Sequence, residues 1–237
     1  MKKRIWELDV LRGICIIGML VVHFIYDMQD LFYIQLFSNS RLYDFVVEWG
    51  GVLFFLISGI CVTLGSRPVR RGLIVFGCAM VVTAVTYGLY ALNYAGKDMI
   101  IYFGVLHCLG VCMLLWPLLR KLPWPVLAAI AGVLIFAGFS IVSVYLPTGL
   151  WLIPFGFKSP GFASADYFPL LPYLGFFLTG SVLGRFLYKN RQTLFPQVSE
   201  KNILVRFFSL FGKWSLPIYM LHQPVFTGIL FVLEVIL

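Results

Sequence analysis

Asp9-Val-Leu-Arg12-Gly-Ile-Cys-Ile-Ile-Gly-Met-Leu-Val-Val-His23-Phe-Ile-Tyr-Asp27 is the stretch on which the fold turns. It is apolar and close to the roughly 20 residues needed to cross a bilayer. Yet it carries four ionisable side chains. Arg12 and His23 are eleven residues apart, about three helical turns, so they share a face and lie about 16 Å apart along the axis. Asp9 and Asp27 fall on the same stripe. An ionisable group in hydrocarbon is costly unless it has a partner or a task. A spanning helix with four of them on one face lines a polar cavity. The chain has three histidines, His23, His107 and His222, and all lie inside apolar stretches of this kind.

The rest of the chain agrees with that class. It is 61% hydrophobic and 12% charged, with mean hydropathy +0.94, whereas a soluble domain has about 45–50% apolar and about 25% charged residues. The expected fold is an all-α integral membrane protein, with residues 1–237 as one domain. It is a bundle of about seven transmembrane helices: 9–27, 48–65, 71–94, 99–118, 124–146, 167–188 and 214–236. Trp151–Phe157 is too short and too broken by Pro154 and Gly156 to span, so it reads as an interfacial or re-entrant piece. The polar stretch 189–213 reads as a cytoplasmic connector.

Charge placement orients the bundle. With the N-terminus in the cytoplasm, the inner side holds Lys2, Lys3, Arg4, Arg67, Arg70, Arg71, Arg120, Lys121, Lys189, Arg191, Lys201, Arg206 and Lys213, and the outer side Arg41, Lys97 and Lys158. This follows the positive-inside rule and puts the C-terminus outside, in a multi-pass protein of a bacterial inner membrane. Asp27, Asp30, Asp44, Glu48, Asp98 and Asp166 gather toward the outer side. Topology therefore accounts for the net charge of +8 and leaves no need for a nucleic-acid partner. The basic start resembles a signal peptide, but Asp9, Arg12 and His23 interrupt the apolar run, so a retained first helix is expected.

The five cysteines, Cys15, Cys61, Cys78, Cys108 and Cys112, all lie within spans, which points away from an exported disulfide scaffold. Cys108 and Cys112 share a face and His107 adjoins them, but His107 projects about 100° from Cys108. Packing cysteines are the expectation, and no metal is called for.

Each remaining polar residue has two readings. Arg12 is a snorkelling arginine paired with Asp9, or a phosphate clamp, since guanidinium binds phosphate bidentately. His23 is a hydrogen-bonded interior histidine or a general base, with Asp27 one turn on to hold its tautomer. Taken together, Arg12 and His23 measure out a long ligand with a phosphate at one end and a reactive group at the other. Coenzyme A has that shape. His107 is a site residue or a cap on an internal network. His222 and Gln223 precede Pro224, which frees a backbone carbonyl; they serve that carbonyl or the substrate. Arg70, Arg71 and Arg185 snorkel or add to a cytoplasmic phosphate-binding rim.

Arg12, ten residues and His23 resemble the first-helix pattern of transmembrane acyltransferases such as the acyltransferase-3 family. A fuller resemblance is to the bacterial heparan-α-glucosaminide N-acetyltransferase catalytic-domain-like family. Arg4-Ile-Trp-Glu-Leu-Asp-Val-Leu-Arg-Gly-Ile is similar to its opening motif, Phe54-Phe-Leu-Ile-Ser-Gly59 to its second-helix motif and Tyr102-Phe-Gly-Val-Leu-His107 to its Phe-Gly-Ile-Leu-His segment. Pro172-Tyr-Leu-Gly-Phe-Phe-Leu-Thr-Gly-Ser-Val-Leu-Gly-Arg185 and Trp214-Ser-Leu-Pro-Ile-Tyr-Met-Leu-His-Gln-Pro224 resemble its last two helices. The resemblance covers nearly the whole chain. It implies transfer of an acetyl or other acyl group from cytoplasmic acetyl-CoA to an amine or hydroxyl of a sugar-type acceptor. Lysosomal members have more spans, a large luminal domain and a functional histidine after the first helix. Residues 28–47 hold no histidine, so the base role passes to His23 by the arginine–histidine spacing.

The resulting expectation is an acyl-CoA-dependent transmembrane acyltransferase. His23, Asp27 and His107 are its catalytic candidates, Arg12, Arg70, Arg71 and Arg185 its CoA contacts, and His222 and Gln223 its acceptor contacts. Its partners are the lipid bilayer, acyl-CoA and a glycan acceptor, with a homodimer open to it. Phe32, Tyr33, Phe37, Trp151, Phe155 and Phe157 shape an acceptor mouth or anchor the interface. The rival classes are a proton-coupled transporter, which buried Asp, Arg and His also suit, a haem-binding electron carrier, and a non-catalytic membrane partner. The lack of an internal repeat weighs against the transporter.

Overall fold

The computed structural model describes residues 5–32, 40–141 and 149–236. Tyr33, Phe37, Lys2, Lys3, Arg4 and the end of the expected fifth span, 142–146, lie outside them. The helices are α1 (Trp6–Phe32), α2 (Arg41–Leu64), α3 (Pro68–Ala91), α4 (Val105–Leu119), α5 (Trp124–Ile141), α6 (Leu170–Leu187), α7 (Ile203–Lys213) and α8 (Ser215–Ile236). Among the described residues there is no strand, only an isolated bridge between Phe103 and Tyr167. Helices α1, α2, α3, α5 and α6 are long and apolar enough to cross a membrane. Helix α4 is apolar but has only 15 residues, because 99–104, expected to be part of a span, are a 3₁₀ turn and an extended segment. Trp151–Phe155 fall in a second 3₁₀ turn, Leu150–Phe155.

The connector 189–213 is not wholly polar chain. Its second half is α7, capped by the Asn202 side chain, which accepts from the Leu204 amide at 2.9 Å. Ile203, Leu204, Phe207, Leu210 and Trp214 form an exposed apolar stripe along it, recurring at helical spacing.

The chain packs as two compact units, Met1–Phe54 with Asn190–Leu237, and Phe55–Lys189. In the first, α7 crosses the start of α1 with backbones in direct contact. A Cβ on Gly13 would meet the Phe208 carbonyl, and one on Gly212 the Asp9 carbonyl. The buried Glu7 carboxylate holds the connector by accepting from Thr193 Oγ1 at 2.9 Å and the Leu194 amide at 2.8 Å. Helices α1 and α8 run in the same direction, with the rings of Phe24 and Phe226 5.5 Å apart.

In the second unit, α3 and α4 are antiparallel, with Gly72 set against Gly110 and Leu114. Helices α5 and α6 are also antiparallel, with Gly175 against Ala131 and Ile135, and Gly138 against Pro172. The end of α2 lies along α6 at two further glycines. A Cβ on Gly59 would strike the Phe177 carbonyl, and one on Gly180 the Leu56 carbonyl. Small residues bring helix backbones together where lipid supplies no hydrophobic drive for association. Gly59→Leu should therefore cost about 3 kcal/mol or more through overpacking, seen as loss of the monodisperse peak and a large fall in Tm in detergent. Gly77→Leu is the control, because nothing lies within 4 Å of a Cβ there, and it should behave as the parent.

Candidate functional site

Helix α1 is unbroken from Trp6 to Phe32, so the Arg12–His23 stripe expected from the sequence exists as one rigid edge. At its start, Arg12 Nη1 lies 3.6 Å from Asp9 Oδ1. Arg12 Nε is buried with no hydrogen-bond partner among the described residues, a donor open to an acceptor.

Three turns on, His23 Nδ1 donates to the Met19 carbonyl at 2.9 Å. That bond, to the carbonyl four residues back, selects the Nδ1–H tautomer and leaves the Nε2 lone pair as a proton acceptor. The expected orienting partner was Asp27. Its carboxylate instead accepts from Gln223 Nε2, 3.0 Å from each oxygen.

Helix α8 completes the cluster. His222 Nδ1 donates to the Tyr219 carbonyl at 2.6 Å, in the turn before Pro224. Its Nε2 is thus a second lone pair, buried and without a partner among the described residues. The His23 and His222 rings meet edge-on with centroids 4.9 Å apart. Gln223, held through its Nε2 by Asp27, has its Oε1 buried and unpaired among the described residues. Helix α8 thus brings two acceptors, His222 Nε2 and Gln223 Oε1, to its contact with α1, where the His222 ring meets that of His23. Leaving buried polar atoms unpaired costs about 1–3 kcal/mol each, and such atoms in a native fold call for an explanation. A ligand bearing N–H or O–H groups supplies one.

His107, in the second unit, is arranged differently. Its Nδ1 accepts from the Gly104 amide at 3.1 Å. Its Nε2 donates to Thr83 Oγ1 at 3.1 Å, whose own proton goes to the Ile101 carbonyl at 2.6 Å. Both ring nitrogens are engaged in pinning the loop ahead of α4. Asp166 joins from the other side, accepting from the Val105 amide at 3.0 Å. Cys108 and Cys112 are fully buried, with Cys108 Sγ directed to the Pro169 carbonyl at 3.7 Å.

Arg185 Nη1 and Nη2 donate to the carbonyls of Leu122 and Arg120 at 3.1 and 3.0 Å, and its guanidinium lies 5.6 Å from the Trp116 ring centroid. It ties the turn between α4 and α5. Arg70 and Arg71 are exposed near the start of α3. Of the residues singled out from sequence, the structure brings His23, Asp27, His222 and Gln223 together. The carbonyls of Met19 and Tyr219, which set both tautomers, were missed. The 3- and 4-residue spacings could have suggested them, but not which acceptor each ring would choose.

Comparison with protein-family models matches residues 4–224 to heparan-alpha-glucosaminide N-acetyltransferase, catalytic. The chain belongs to this family. No curated protein and no solved structure matches it. The α1–α8 cluster and the interior apolar helices are therefore those of a heparan-alpha-glucosaminide N-acetyltransferase family member. That membership points to a membrane acetyltransferase.

Proposed function

We propose that this protein transfers an acetyl group from acetyl-CoA, donated on the cytoplasmic side, to an amine or hydroxyl of a sugar-type acceptor, in a bacterial inner membrane. The observation that carries this reading is the α1–α8 cluster, where two buried acceptors of α8, unpaired among the described residues, stand with a histidine of fixed tautomer. The acceptor's N–H or O–H groups satisfy His222 Nε2 and Gln223 Oε1. His23 Nε2 takes the proton from the nucleophile as it attacks the thioester carbonyl. The C–S bond breaks, and the imidazolium returns its proton to the CoA thiolate. Asp27 acts through Gln223, fixing which amide atom faces the acceptor.

Arg12 suits the phosphate end. Its buried, unpaired Nε is a donor that a phosphate oxygen would fill, about 16 Å along α1 from His23, a separation that suits the pantetheine arm. His107 serves the fold, holding the loop before α4. The test is transfer by purified protein from acetyl-CoA to a panel of amino sugars and their hydroxyl analogues, read by mass spectrometry. No acetylated product from any acceptor, with acetyl-CoA left unbound, would overturn the reading.

The bundle is read as seven spans, α1 to α6 and α8, with the N-terminus cytoplasmic and the C-terminus outside. The common direction of α1 and α8 supports opposite sides for the two ends. Single cysteines at positions 97 and 191, in a cysteine-free background, should be labelled from the periplasm and from the cytoplasm respectively. Periplasmic labelling at 191 would invert the map and the side from which CoA is donated.

A further inference from the structure

In the second unit, helix polarity collects one charge sign at one end. Because α3 and α5 run antiparallel to α4 and α6, the starts of the first pair and the ends of the second share an end. Arg67, Arg70, Arg71, Arg120 and Lys121 lie there. Between residues 55 and 189 the acids are Asp98 and Asp166. Both sit toward the opposite end, Asp98 in the turn after α3 and Asp166 at the first turn of α4.

A groove of about 710 Å³ opens at the basic end between α3 and the end of α4, with Arg67, Arg70 and Arg120 around it and Val69, Leu73 and Ile74 along its wall. Arg120 is held in place because its own carbonyl receives Arg185 Nη2. The apolar wall continues on exposed surface, with Val69, Leu73 and Ile74 exposed by 45%, 59% and 50%. Helix α3 buries only Gly72, Val75 and Ala79 among its residues.

We propose that this groove is a binding site for an anionic phospholipid, with the phosphodiester between Arg67, Arg70 and Arg120 and an acyl chain along Val69, Leu73 and Ile74. Guanidinium forks match phosphate oxygens bidentately. Basic clefts between spanning helices on the cytoplasmic side suit lipid head groups. Within this unit no acid lies at that end to balance the charge. A soluble phosphate ligand would satisfy the arginines but make no use of the apolar wall, which is why the lipid is the occupant. Arg70 accordingly belongs to a lipid site and not to the CoA rim.

The experiment is native mass spectrometry of the full chain in zwitterionic detergent, titrated with dioleoyl phosphatidylglycerol or dioleoyl phosphatidylcholine. Phosphatidylglycerol should be retained and phosphatidylcholine stripped. Arg67→Gln/Arg70→Gln/Arg120→Gln should weaken phosphatidylglycerol binding by roughly a hundredfold, about fivefold for each arginine. Inorganic phosphate should not displace the lipid. Equal retention of the two lipids by the parent protein would overturn the proposal without recourse to any variant. So would undiminished phosphatidylglycerol binding by the triple variant. Displacement of the lipid by acetyl-CoA, with acetyl-CoA affinity lost in the same variant, would overturn it too and assign the arginines to the nucleotide. His23→Ala should leave lipid retention unchanged, which separates failure here from failure of the acetyltransferase reading.

Discussion

His23→Ala should abolish acetyl transfer while leaving a folded protein that still binds acetyl-CoA. General-base catalysis contributes about 10²–10⁴-fold, and His23 is placed for it by the bond from Nδ1 to the Met19 carbonyl, which exposes Nε2 as the basic atom. His222→Ala keeps the His23 tautomer but removes an acceptor next to it, so it should raise KM more than it lowers kcat. His107→Ala is the informative control. Both its ring nitrogens hold protein groups, so it should lower Tm while the surviving folded fraction turns over normally. Loss of turnover in folded His107→Ala, with activity kept in His23→Ala, would move the base to α4.

Arg12→Ala should weaken acetyl-CoA binding roughly tenfold to a hundredfold, the value of a charge-assisted hydrogen bond at about 1.5–3 kcal/mol. A phosphate clamp acts in the ground state and the transition state alike, so KM should rise with kcat little changed. His23→Ala should show the reverse pattern, with affinity kept and turnover lost. The two variants therefore separate the two ends of the proposed ligand. Isothermal titration of each purified variant with acetyl-CoA checks this. Parent-like affinity in Arg12→Ala would reduce Arg12 to the ion pair with Asp9 that the structure also shows.

The helical membrane class was legible in the chain because hydrocarbon admits few backbone solutions. A run of about 20 apolar residues has to satisfy its own hydrogen bonds, so composition and length are enough to read a helix. The stripe from Arg12 to His23 was legible for a related reason: the helical repeat is rigid, and α1 has no break across it. Helix α7 was not read, because its polar lead-in and Lys213 hid the apolar spacing of Ile203, Leu204, Phe207 and Leu210. Its place beside α1 depends on Gly13 and Gly212, which matter only once the two backbones meet.

The partnerships within the site belonged to tertiary structure. Asp27 is four residues from His23, and helical spacing made them neighbours, yet the carboxylate takes Gln223 from 196 residues away. His107 and His222 look alike in sequence, each a lone histidine in an apolar segment. One is saturated by Gly104 and Thr83, and the other keeps a buried, unpaired Nε2. Local periodicity sets which way a side chain leaves its own helix, but a hydrogen bond needs two groups within about 3 Å, and only the packing of α8 against α1 brings such groups together.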